Sequence, residues 1–166
     1  MPPRVKFSRE EIIAAALDIV RRGGMAALTA RSLAAELGSS AKPVFGLFEN
    51  MQGRLDMVEN MQEVHDEVVR AANAEYQFFL RAEMMRGAYP PYKASGMAYI
   101  AFARKEKELF KLLFMRDRTE EDLETEDESI DGIIALISRN TGLSNEDARL
   151  FHLEMWIFVP GIATMI

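Results

Sequence analysis

Apolar residues recur every three or four positions through most of the chain and nowhere alternate one by one, so the pattern predicts helices and no strands. In "FSREEIIAAALDIVRRGG" the residues Ile12, Ile13, Ala16, Leu17 and Val20 share one face. Ser8 with Glu11 has the spacing of a capping box, and Phe7 can staple to Ile12. Arg21 and Arg22 suit the negative end of the helix dipole, and Gly23 or Gly24 supplies a left-handed stop. "LTARSLAAELG" repeats this grammar at shorter length, with Thr29 as cap, Leu28 and Leu33 as staple, and Gly38 as terminator. About two turns cannot stand alone, so this segment must pack on its neighbours.

Pro43 shapes the next element. With Ser40 as N-cap, the proline falls at the third helical position, where no intrahelical hydrogen bond is lost; with Lys42 as cap it falls at the first. The first choice confines the turn to Gly38, Ser39 and Ser40. Either way a helix runs through Phe45 and Phe48 to near Glu49. Asn50 then caps a pattern that continues to Gly87, with Leu55, Val58, Met61, Val64, Val68 and Ala72 on one stripe, as one long helix or two nearly collinear ones. "AYPPYKAS" is a loop, because Pro90 and Pro91 cannot both sit in a helix interior. Further helices are predicted at roughly 92–104, 106–116, 127–140 and 144–166, the last capped by Ser144 with Asp147.

Composition narrows the chemistry. The 166 residues include no cysteine, which removes disulfides, thiolate metal sites and thiol nucleophiles and fits a reducing cytoplasm. No secretory signal opens the chain, and the longest apolar run, Met155 to Ile166, falls short of the ~20 residues that span a bilayer. The net charge of −6 is uneven: residues 1–50 carry seven basic against five acidic side chains, and "TEEDLETEDES" is a dense acidic block at 119–129. An anion-seeking head on an acidic body is the expectation. The two histidines, His65 beside Asp66 and Glu67 on a solvated face and His152 at a core or interface, form no catalytic or metal-binding set; no enzyme, metal or cofactor is expected.

Two short helices joined by a turn containing glycine are the pattern of a DNA-binding helix-turn-helix, whose second helix enters the major groove. Ser39, Ser40, Ala41 and Lys42 are small, polar or basic, which allows close approach to a duplex. With these features, "FSREEIIAAALDIVRRGGMAALTARSLAAELGSSAKPVFGLFENMQGRLDMV" resembles the N-terminal domain of the TetR family of bacterial transcriptional regulators. "VFGLF" stands where the family often has a Leu-Tyr-x-His-Phe core. "YIAFARKEKELFKLLFM" and "WIFVPGIATMI" look like a subgroup whose ligand domain carries a Trp and a later His-Gly pair. Phe45 replaces the family's Tyr, Leu47 its His, Met51 a frequent Lys, and Pro160 the subgroup's His.

The resemblance implies an all-α protein: a helix-turn-helix domain at 6–66 (motif 29–48), then a helical ligand-binding and dimerisation domain at 67–166 that lacks the family's final helix. It implies a cytoplasmic homodimer on double-stranded operator DNA, acting as a repressor released by a small apolar or aromatic ligand. DNA contacts fall to Thr29, Arg31, Ser39, Ser40, Ala41, Lys42, Pro43, Phe45, Gly46 and Asn50. Thr29, Arg31, Lys42 and the helix start near Asn50 offset the polar contacts missing at Phe45, Leu47 and Met51. Met84, Met85, Met97, Phe102, Phe110, Phe114 and Trp156 are pocket candidates, with Tyr76, Tyr89 and Tyr92 as polar additions. The terminal stretch, with Leu150, Leu153, Ile157, Gly161 and Met165, is the expected dimer seam. The alternative is a helical ligand-binding or adaptor protein that has lost specific DNA binding.

Overall fold

A computed structural model describes residues 7–39, 57–115 and 124–165, the side chains of 57–60 and 124–129 excepted. Among these residues the regular structure is helical throughout: α1 (Arg9–Gly23), a 3₁₀ turn (Met25–Ala27), α2 (Ala30–Glu36), α3 (Met57–Arg86), α4 (Pro91–Lys105), α5 (Lys107–Phe114), α6 (Glu124–Thr141) and α7 (Asn145–Thr164). The protein is all-α, as the periodicity requires. The helix expected over 40–49, the Ser40 or Lys42 cap, Pro43, the Asn50 cap and Ile166 lie outside the described residues.

The chain forms two compact units, one from Met1–Glu75 with Glu106–Met115 and one from Tyr76–Lys105 with Arg116–Ile166. A boundary near residue 66 therefore falls inside α3, whose 30 residues form one continuous helix rather than two.

In the first unit α1 begins where the pattern places it. Ser8 Oγ accepts from the Glu11 amide at 3.1 Å while the Ser8 amide donates to the Glu11 carboxylate at 2.7 Å, so two orphan donors are satisfied reciprocally. Gly24, not Gly23, makes the stop: its φ is 73°, and its amide donates to the Val20 carbonyl at 2.8 Å. A Cβ on Gly24 would lie 3.0 Å from Glu108 Oε2, so glycine also lets α5 cross close to the end of α1. Ile12, Ala16, Ile19 and Val20 of α1, Leu33 and Ala34 of α2, and Leu109, Phe110 and Leu113 of α5 are buried, and α1 packs against both α2 and α5. From α3, Val64, Val68 and Ala72 are fully enclosed at four-residue spacing.

In the second unit α7 packs on α4 and α6. Ile134, Ile137 and Ala148 form a buried cluster, with Tyr92, Ile130, Ile133, Leu143 and Phe151 against it. Small residues on α4 permit close approach, since Gly96 lies 3.8 Å, measured from an ideal Cβ, from Val159 Cγ2 of α7. Phe102 is fully buried, with the Tyr76 and Phe79 rings edge-on at 5.4 and 5.3 Å between centroids. Ser144 caps α7 by accepting from the Asp147 amide at 3.1 Å. Pro160 lies inside α7, and because proline has no N–H the Trp156 carbonyl four residues earlier lacks its usual helical donor.

Candidate nucleic-acid interface and dimerisation face

The approach to the expected recognition helix is built by α2 and its two ends. Thr29 Oγ1 accepts from the Ser32 amide at 3.1 Å, and the Thr29 amide donates to Ser32 Oγ at 2.9 Å. Serine thus fills the place that glutamate holds in α1. At the far end the Ser39 amide donates to the Ala34 carbonyl at 2.9 Å and the Gly38 amide to the Ala35 carbonyl at 3.0 Å, with Gly38 at φ 59°. This nested pair closes the last turn of α2.

The charges of α1 are largely spent inside the unit. Arg9 reaches Glu63 at 2.7 Å and Glu67 at 2.8 Å, and Arg22 reaches Glu36 at 2.7 Å. Arg21 donates through Nε to Glu106 at 2.7 Å, through Nη1 to Asp18 at 2.8 Å and through Nη2 to Glu75 at 3.4 Å. Burial works against its charge, but the bond to Glu106 and the charges of Glu106, Glu75 and Asp18 outweigh burial and hold its pKa above the ordinary guanidinium value. Counting formal charges as an anion-seeking head therefore overstates what α1 offers to DNA. Arg31, exposed on α2, makes no ion pair among the described residues.

Of the DNA-contact candidates, Thr29 and Arg31 are exposed and Ser39 is half-buried, at the two ends and outer side of α2. Ser40, Ala41, Lys42, Pro43, Phe45, Gly46 and Asn50 lie outside the described residues. The ligand-pocket candidates separate. Phe110 and Phe114 stack in the first unit at 5.2 Å, whereas Phe102 is in the aromatic core of the second. Met84, Met85, Met97 and Trp156 are exposed. Tyr76 belongs with Phe102, Tyr89 carries Lys93 Nζ over its ring at 4.3 Å, and Tyr92 joins the α6–α7 core.

The seam candidates share one physical state. Leu150, Leu153, Ile157, Gly161 and Met165 all face outward on α7, with Trp156, Phe158 and Ile162 beside them. Leu153 is 52 %, Ile157 63 % and Trp156 68 % exposed, while Ala148 and Ala163 on the opposite side are buried. Charge on this outward side is sparse between Leu150 and Met165, where Glu154 is the sole ionised side chain. These exposed apolar side chains form a contiguous face rather than scattered exposure.

His152 is a core histidine as expected, half-buried with Nδ1 3.0 Å from the Tyr92 hydroxyl and its pKa lowered by burial. The solvated surface expected for His65 is not found. Its Nε2 is buried and has no hydrogen-bond partner among the described residues, residue 65 sitting on the shoulder of the enclosed Val64–Val68 stripe and not opposite it.

Residues 92–166 match the family described as "Tetracyclin repressor-like, C-terminal domain". Similarity also extends to the tetracycline repressor protein class D of Escherichia coli and to class H of Photobacterium damsela subsp. piscicida. Each is 31 % identical over 107 residues, covering 62 % of this chain and 49 % of the relative. From residue 92 onwards the chain is therefore similar to TetR-type repressors. The matched part spans about half the length of these curated relatives, and no solved structure matches the chain significantly. Among the described residues no helix is long and apolar enough to cross a membrane.

Proposed function

We propose that the protein is a cytoplasmic, DNA-binding transcriptional regulator of the repressor type, active as a homodimer and released from its operator by a small apolar or aromatic ligand. The observation that carries this reading is α2 itself, with a closed helix stop at Gly38 and Ser39 at one end and, at the other, an exposed Arg31 that makes no ion pair among the described residues, in a chain whose relatives are repressors. Arg31 and Lys42 would contact phosphates, while the residues from Ser39 to Gly46 approach the bases. The outward face of α7 would join two copies, so that two heads meet half-sites one helical turn or a multiple apart, about 34–36 Å. Met84, Met97, Phe102 and Trp156 of the second unit stay pocket candidates. No enzymatic role is proposed.

Fluorescence anisotropy with DNA from upstream of the protein's own gene tests the reading. Specific affinity should fall with rising salt at a log-log slope of about −0.9 per phosphate neutralised, and Arg31→Glu and Lys42→Glu should each weaken binding without changing thermal stability. The neutralisation of Arg9, Arg21 and Arg22 favours a second reading, a helical adaptor that has lost its operator. Binding to every DNA fragment alike, or to none, at low salt would establish that second reading.

A further inference from the structure

Arg21 holds a position that helix packing alone does not demand. The chain passes from the first unit to the second between Glu75 and Tyr76, returns between Lys105 and Glu106, and leaves again between Met115 and Arg116. The residues on the first-unit side of the first two of these passages, Glu75 and Glu106, are bonded by the same guanidinium, which also holds Asp18 on its own helix. All three nitrogens of Arg21 are engaged, a fork that a lysine cannot reproduce.

Isolated exposed ion pairs contribute little. Here the Glu106 side chain is only 12 % exposed and its bond to Nε is 2.7 Å, so screening by solvent is reduced. Glu106 also opens α5: its carbonyl accepts from the Phe110 amide at 2.8 Å, and it provides no side-chain cap because its carboxylate is turned to Arg21. Eight residues make a helix with little stability of its own, and α5 depends on what anchors its start. The close approach of Glu108 to Gly24 places the second contact of α5 one turn beyond the same end of α1.

We infer that Arg21 is a positioning residue that clasps the first two of the three chain passages to α1, so that mechanical change in the second unit reaches the DNA-binding head through the start of α5. Its regulatory meaning rests on the proposed function; the intramolecular coupling does not, and its test needs neither operator nor ligand.

Amide hydrogen exchange of the full chain reads the coupling. Phe102→Leu loosens the core of the second unit and, with Arg21 in place, should speed exchange at the 107–114 amides about threefold or more. In an Arg21→Gln background the same substitution should change those amides by less than about 1.5-fold, a non-additivity that a merely stabilising Arg21 would not produce. Arg21→Lys should keep less than half of the transmitted effect, and Glu106→Gln should reproduce Arg21→Gln. Should Arg21→Gln expose the α1 and α2 amides throughout, Glu106→Gln carries the comparison. Equal transmission with and without the clasp, no transmission in the Arg21 protein, or full transmission through lysine would each overturn the inference. A failure of the DNA-binding assay would leave this result standing, so the two ideas fail separately.

Discussion

Replacing Ile157 with aspartate probes the outward face of α7 at its centre. Ile157 is 63 % exposed in the single chain, and complete burial of such a side chain contributes about 1.5–3 kcal/mol, so covering its open part contributes about 1–2 kcal/mol per protomer. A two-fold interface uses the residue twice, which brings the apolar loss to about 2–4 kcal/mol. Aspartate adds two carboxylates at a site whose nearest outward charge is Glu154, and an unpaired buried charge costs several kcal/mol more. The combined effect should exceed about 4 kcal/mol, or roughly a thousandfold in dissociation constant. Sedimentation velocity from nanomolar to high micromolar protein should show a dimer for the unaltered chain and a monomer for Ile157→Asp, with unchanged helical circular dichroism. An unaltered chain that sediments as a monomer throughout, or a variant that associates as tightly, would refute the assignment of this face.

Acidification should weaken the second unit through His152. Burial lowers its pKa in the folded chain, so below the ordinary imidazole value of about 6.5 the unfolded chain binds more protons and stability falls with pH; above that value the effect is absent. Urea titrations across this range, with His152→Gln as the comparison, would show the slope vanish in the variant. Ser8→Ala should cost about 1 kcal/mol by removing the Oγ that accepts from the Glu11 amide, read as a lower denaturant midpoint with unchanged slope.

Helix existence and boundaries were legible where backbone chemistry is local. Ser8, Thr29 and Ser144 cap as their spacing predicts, and expected helices at 92–104 and 144–166 match α4 and α7 to within two residues at each described end. The outward α7 stripe was also readable, because Leu150, Leu153, Ile157 and Gly161 recur at helical spacing. Long-range pairing was not. Nothing in the pattern ties Arg21 to Glu106, 85 positions away, or Arg9 to Glu63, so charge counted along the chain could not show which cations are already neutralised. The same limit applies to His65, whose charged sequence neighbours point elsewhere than the Nε2 atom does, and to aromatic residues such as Phe102 and Phe110, which share a pattern but not a unit.

Pro160 gives the α7 face an individual profile. A helix missing one rung yields at that point, so its surface bears a mark that an uninterrupted helix does not share. In the homodimer proposed above, a second copy would carry the same irregularity, whereas an uninterrupted helix would meet a mismatch there, so the imino acid would act as a safeguard against hybrid assemblies.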